Sequence, residues 1–381
     1  MVAKINSLSR VSSYLPGISL PYAKNRNFLV FRLLTIFAGL HLHFFNYAYL
    51  AEMNVQVSDA AMVTGAAAIG GLSPPIDIPA EDVIGSIEAR TGLLPQITLE
   101  YEHEIGMLWI TLKPEPKPVF TQTCGESVRK VQHAVMTLWP EAARSPVLFV
   151  AYRGTGPVFA LGGDLDFYLE CIAGNDRAAL EDYARLAVEI MNLNASSLGQ
   201  RVITMATIHA RVLGGSIDPP RSCNLMIAEQ RARFGYPEIA FNHFPIAAVP
   251  ILSRRIGEVA AQRILMAGEE FTAEQFFDKG VVDEVVPDGT GEMALRDHAA
   301  RFHASHAARV ALYSAFYRHA GDLVRELEVS AKNWVDHVLK LRPLDIARLQ
   351  RIVQIQDKML TRLYNQSDIA SRRVPQGAKQ T

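Results

Sequence analysis

The chain has 381 residues, 49% of them hydrophobic, and a formal net charge of -1. That length and apolar content suffice for a full core, in one large domain with appendages or in two domains. The near-zero charge excludes a general basic field that would draw the protein to nucleic acid or to an anionic membrane.

Taken in chain order, residues 1–60 differ from the rest. Asn27 to Leu40 is apolar but interrupted by Arg32 and followed at once by His41 and His43, short of the roughly 18 to 20 apolar residues a spanning helix needs. Lys4, Arg10, Lys24 and Arg26 precede it, as in a signal or anchor segment, yet no clear small-residue cleavage site follows. The expectation is a cytoplasmic protein without integral membrane insertion. Its first 60 residues then form an amphipathic extension, a targeting segment, or a stretch upstream of a start at Met53 or Met62. Residues 61–95, which begin rich in Ala, Gly and Pro, read as a flexible linker.

From residue 96 to 290 the pattern is that of an α/β domain. Ile97 to Tyr101 and Ile105 to Leu112 alternate around a turn at His103 to Gly106, a hairpin signal. Gln122 to Trp139 has helical spacing through Val128, Val131, Val135 and Leu138. Val147 to Val150 then suits a strand buried on both faces. A second unit follows: strand Val158 to Leu161, a turn at Gly162 to Asp164, helix Arg177 to Asn192 and strand Val202 to Ile208. The third carries Arg211 to Pro250, with Leu225 to Ala228 as its strand. Residues 291–365 turn helical, over Glu292 to His306, Leu323 to Leu341 and Leu344 to Leu363, with Pro343 between the last two. The tail, 366–381, is polar and reads as loose.

Arg211 to Pro250 holds the chemistry. The pair Gly214-Gly215 lets backbone N–H groups approach a ligand, and a helix starting there adds its free amides to the pull on a forming oxyanion. Asp218 and Glu238 are two carboxyls able to move protons at one substrate. Glu238 sits among Phe234, Tyr236, Pro237, Ile239 and Phe241, an apolar setting that raises a carboxyl pKa. The plain alternatives are an ordinary turn for the glycines and a surface position for Glu238. Cys124, Cys171 and Cys223 are odd in number and widely spaced, as buried small hydrophobes in a reducing compartment are. No phosphate loop, dinucleotide fingerprint or histidine pair with metal spacing occurs, so no cofactor and no metal are expected.

From Val147 to Gly289 the chain resembles the crotonase (enoyl-CoA hydratase/isomerase) superfamily, and within it the diffusible signal factor synthases. The matching pieces are Pro157 to Leu165, Leu213 to Gly215, Ser222 to Glu229, Phe234 to Ile239, Phe241 to Pro245 and Phe271 to Asp283, in order and spacing. The resemblance implies an α/β fold: a crotonase-like spiral of ββα units with a C-terminal α-helical region that covers the site and builds homotrimers or hexamers. It also implies an oxyanion hole from the amides of Gly163 and Gly215, with Glu238 and Asp218 catalytic. Gly162, Gly214, Phe244 and Ile246 would then line the substrate.

The chain departs from that pattern at two places. Asp218 stands where the family has glutamate, one methylene or about 1.5 Å shorter, and a misplacement of about 1 Å can cost a hundredfold in rate. Ser216, Ile217 and Pro219-Pro220 surround it in place of the family's glycine, aromatic and small residues. Asp218 therefore reads either as catalytic or as an N-cap accepting from the Arg221 amide, with Arg221 also able to pair with it. Ile246-Ala247-Ala248 fills a turn that is glycine-rich in the family, which implies a narrower acyl pocket. His243 and His209 read as packing residues, with proton transfer as the alternative. The resemblance implies an acyl-thioester enzyme that dehydrates a 3-hydroxyacyl chain on acyl carrier protein to a cis-2-enoyl chain and hydrolyses it. The alternatives are a hydratase or isomerase on acyl-CoA, and a catalytically silent binding or regulatory protein. Arg254, Arg255 and Arg263 would meet an acidic carrier or simply face solvent.

Overall fold

Residues that alternate at period two divide between the two faces of a sheet, and a strand covered on both faces is apolar at nearly every position. The computed structural model describes residues 82–140, 144–319 and 321–372. Helix α1 (Val83–Thr91) leads into the hairpin of β1 (Ile97–Glu102) and β2 (Met107–Leu112). Helix α2 (Gln122–Leu138) joins it to β3 (Phe149–Gly154), and α3 (Leu165–Gly174) with α4 (Arg177–Ala195) lead to β4 (Ile203–Ile208). A short β5 (Val212–Leu213) and α5 (Asp218–Ser222) precede β6 (Leu225–Glu229). Next come β7 (Arg233–Gly235), α6 (Ala248–Ile256), α7 (Glu258–Ala267), β8 (Glu270–Thr272), α8 (Ala273–Asp278) and β9 (Glu284–Val286). Four helices finish the described chain: α9 (Gly291–His303), α10 (His306–His319), α11 (Leu323–Val338) and α12 (Pro343–Arg372).

The main sheet has the order β1-β2-β3-β4-β6-β9, antiparallel at β1/β2 and parallel thereafter. A small sheet, β5-β7-β8, stands beside it. Strand residues alternate cleanly between two clusters. Leu108, Ile110, Val150, Tyr152, Ala206, Ile208, Met226 and Ala228 pack on the α2 side. Met107, Trp109, Phe149, Ala151, Ile203, Met205, Leu225 and Ile227 pack on the other side with Leu295, Ala299 and Val310 of α9 and α10. A further cluster joins α3, α4, α11 and α12 through Tyr168, Leu180, Tyr183, Trp334, Val335 and Leu349.

The ββα spiral with its helical C-terminal region is therefore present, and the hairpin, α2, α4, β4 and β6 fall where the patterns put them. Five details differ, the first being that α12 runs to Arg372, so residues 366–372 of the expected loose tail are helical. Residues 83–91, expected inside a linker, form α1 because Asp82 caps the helix and Val83 and Ile87 are buried in the core. The expected strand Val158 to Leu161 makes only a single bridge, Ala160 to Val212, before the chain turns at Gly162 with φ of 101°. Helix α3 had no separate signal, and the expected helix to His306 ends at His303, where α10 takes over. The extension, residues 1–60, lies outside the described residues, as does the linker up to residue 81. Among the described residues no helix is long and apolar enough to cross a membrane.

Candidate active site

Two glycine turns, far apart in sequence, are clipped together. The Leu213 amide donates to the Ala160 carbonyl at 2.9 Å and the Phe159 amide to the Arg211 carbonyl at 2.8 Å, which runs the two approach segments side by side. Ser216 closes the junction: its hydroxyl donates to the Gly162 carbonyl at 2.7 Å and accepts from the Gly162 amide at 3.0 Å. Gly162 needs its left-handed backbone, and so does Gly214, with φ of 58°. Gly163 needs its missing side chain for a different reason, since a Cβ there would lie 1.8 Å from the Tyr168 hydroxyl. Asp164 caps α3 by accepting from the Phe167 amide at 3.2 Å.

The two carboxyls lie in the same cavity but differ in their bonding. Glu238 sits in a tight helical turn, Pro237–Phe241, and is 7% exposed. Its Oε1 accepts from the Gly215 amide at 2.8 Å, while its Oε2 is buried with no hydrogen-bond partner. Burial pushes its pKa up to about 7, against the pull of the Gly215 bond. Asp218 is 2% exposed, and Oδ1 accepts from the Tyr236 hydroxyl at 2.7 Å. Burial raises its pKa well above the usual carboxylate range; the nearby Glu238 charge adds to that, and bonds from Tyr236 and the Ala247 amide oppose it. Carboxyls whose surroundings separate their titrations are equipped to divide acid and base work.

The capping alternative for Asp218 is overturned. Asp218 is the first residue of α5, not its cap, and no side chain caps that helix. Nor does Arg221 pair with it: Arg221 binds Asp283 at 3.0 Å and the Val281 and Cys223 carbonyls on the far side of the helix. The carboxyl is taken instead by the Tyr236 hydroxyl.

Gly162, Gly163, Gly214, Gly215, Asp218, Glu238, Phe244 and Ile246 all line one cavity of about 300 Å³. Tyr168, Tyr183 and Trp334 form an aromatic wall, and Ile352, Ile355, Gln356 and Met359 of α12 close another side. Gln356 anchors α12 there by donating to the Leu161 carbonyl at 3.0 Å. His243 also lines the cavity, but Trp334 donates to its Nε2 at 3.1 Å and burial pushes its pKa down to about 3, so it packs as a neutral ring. His209 accepts no such place: it lies outside the lining and bonds the Gly156 carbonyl at 2.9 Å. Arg254 and Arg255 are paired with Glu326 and Asp283, and Arg263 is exposed. Cys124, Cys171 and Cys223 are free and buried.

Sequence reasoning missed Ser216 as the clip and Tyr236 as the partner of Asp218. Each had a signal: a hydroxyl in place of a family glycine, and a hydroxyl within an otherwise apolar run beside Pro237-Glu238.

Fold and site together define a crotonase-type protein with two glycine turns and two buried carboxyls around one cavity. Residues 143–338, just over half of the chain, match the profile of the enoyl-CoA hydratase/isomerase family, and the chain belongs to that family. It is 27% identical over 165 residues to mevalonyl-coenzyme A hydratase SIDH of Beauveria bassiana, a match covering 42% of this chain and 59% of that one. With bacillaene synthase dehydratase PksH of Bacillus subtilis it shares 23% over 221 residues, 58% of this chain and 80% of the relative. The chain thus spans less than two thirds of the length of the first relative. Human mitochondrial delta3-delta2-enoyl-CoA isomerase superposes with a TM-score of 0.58 at 20% identity, covering 69% of this chain and 99% of that one, a likeness of fold.

Proposed function

We propose that the protein adds water to, or removes it from, an acyl thioester. The Gly163 and Gly215 amides would hold the carbonyl oxygen, and Glu238 and Asp218 would move the protons. The observation that carries this reading is the placement around one cavity of both glycine turns and two buried carboxyls, the pKa of each raised by burial. The SIDH and PksH relatives, named as a hydratase and a dehydratase, support it.

In the hydration direction, ionised Glu238 takes a proton from water as the water oxygen bonds to C3 of a 2-enoyl chain. The C2–C3 π electrons move toward the thioester carbonyl, and the charge on its oxygen is held by the two amides. Asp218, held protonated, delivers its proton to C2. The proton on Glu238 then returns through solvent to Asp218, so one water is consumed and the carboxyls are restored. Dehydration is the same path reversed.

The Gly215 amide has two claimants. With Glu238 Oε1 already bonded to it, the incoming carbonyl oxygen must displace the carboxylate. Loss of that bond removes an interaction that favoured the charged form, so Glu238 becomes a stronger base as substrate seats.

A second reading is the diffusible signal factor type of reaction, in which dehydration of a 3-hydroxyacyl carrier-protein thioester to a cis-2-enoyl chain is followed by hydrolysis. It shares the first step and adds water attack at the carbonyl. Purified protein incubated with 2-enoyl and 3-hydroxyacyl thioesters of CoA and of acyl carrier protein separates these readings. Interconversion without free acid supports hydration chemistry, and release of a cis-2-enoic acid supports the second reading. Tight binding with every thioester unchanged would leave a binding protein and refute both.

A further inference from the structure

A second, smaller cavity of about 60 Å³ lies behind the first, lined by Leu112, Val119, Val128, Phe159 and Ile190 among others. Among the described residues, only Phe120 and Pro219 line both cavities. Pro219 follows Asp218 directly and is tied to the carboxyl's position. Phe120 is not, and its ring is the movable part of the partition.

The backbone of Phe120 is pinned next to the Gly163 turn. Its amide donates to the Gly162 carbonyl at 2.9 Å, and its carbonyl accepts from the Tyr183 hydroxyl at 2.7 Å. The ring then packs edge-on to Tyr183, with centroids 5.5 Å apart. Its tip rests on α2 at Gly125, where a Cβ would meet the ring 2.9 Å away. Gly125 is the fourth residue of α2, and its missing side chain leaves room for the ring and for Leu186, whose Cδ2 would lie 3.0 Å from the same Cβ. The ring makes no hydrogen bond, and truncating it leaves both backbone pins in place.

We infer that the Phe120 ring is the end wall of the acyl cavity and sets the chain length of the acyl group, with the apolar cavity behind it as space that the ring denies to longer chains. This rests on the acyl-thioester reading above. The space behind the ring is lined mostly by apolar side chains, with Tyr152, Asn194 and Ser216 the polar members, and so suits methylenes. Each buried methylene changes selectivity by about tenfold or more, so one ring has leverage over a range of substrates.

The test is a length series of unreactive S-(2-oxoalkyl)-pantetheine thioethers, which keep a carbonyl oxygen without the thioester bond, titrated into the intact protein by calorimetry, with wild type compared to Phe120→Ala and Phe120→Leu. Phe120→Ala should move the affinity optimum up by about two methylenes, raising the long-to-short affinity ratio about a hundredfold. Phe120→Leu should fall between, and serves where the alanine variant folds poorly. A ring that only supports the fold would lower affinity for all lengths alike and leave the optimum in place, and that result would overturn the inference. If no thioether of any length binds wild type, the acyl-thioester reading falls with it. If thioethers bind with the predicted shift while no thioester is turned over, only the proposed chemistry falls.

Discussion

The start of α5 and the Pro237–Phe241 turn each deliver one carboxyl to the same cavity, and the two are held in opposite ways. Asp218 is held by the Tyr236 hydroxyl at 2.7 Å. Glu238 is bonded at one oxygen, by an amide that a substrate would claim, and unpaired at the other. Burial raises both pKa values. The comparison teaches that in a buried setting the partners of a carboxyl, more than its identity, assign its task. The anchored, shorter side chain is suited to stay protonated, and the longer one with a free oxygen is suited to exchange protons near neutral pH.

The sharpest way to break this contrast is Glu238→Gln, which keeps an oxygen for the Gly215 amide and removes the titration. Turnover should fall by about 10²- to 10⁴-fold. Stability should move the other way. The folded state raises the Glu238 pKa from its ordinary value to about 7, so wild type loses stability as pH rises from the ordinary carboxyl range through about 7. The variant should therefore match wild type in acid and exceed it by up to about 3 kcal/mol above pH 8, read from denaturant unfolding at each pH. Next in size is Gly214→Ala. Its Cβ would lie 2.4 Å from Glu238 Oε1 on a backbone at φ of 58°. The displaced carboxylate should cost about a hundredfold in kcat, measured at saturating substrate.

On the Asp218 side, Tyr236→Phe removes the bond that holds the aspartate pKa down. Activity should drop by about tenfold or less, and the alkaline limb of the pH–rate profile should move to higher pH, an effect that simple loosening of the fold would not produce. The smallest effect on turnover is expected for His243→Phe, since a neutral ring bonded to Trp334 carries no proton. Its kcat should stay within about threefold of wild type, while the orphaned Trp334 N–H costs about 1 to 3 kcal/mol in a denaturant melt.

Much of this site is legible in the sequence because its parts are local: each glycine pair with its following residues is a turn whatever lies around it, and period-two apolar runs dictate the sheet. Phe244 and Ile246 lie beside Glu238 in the chain and reach the same cavity. What could not be read are pairings that join distant positions through side-chain direction. Ser216 to Gly162 spans 54 residues, and Gly215 to Glu238 spans 23. Tyr236 to Asp218 is a further case, since a hydroxyl in an apolar run has no direction until the sheet is built. The covering residues Gln356 and Met359 are spaced like any amphipathic helix, so their place over the cavity depends on where α12 docks.

The most direct measurement is an experimental structure of the protein with a ketone analogue of the acyl thioester, in which a methylene replaces sulfur. The account predicts the ketone oxygen within hydrogen-bond distance of both the Gly163 and Gly215 amides, with the Glu238 carboxylate moved off Gly215 toward the acyl chain. A bound analogue whose oxygen touches neither amide, with Glu238 still bonded to Gly215, would contradict it.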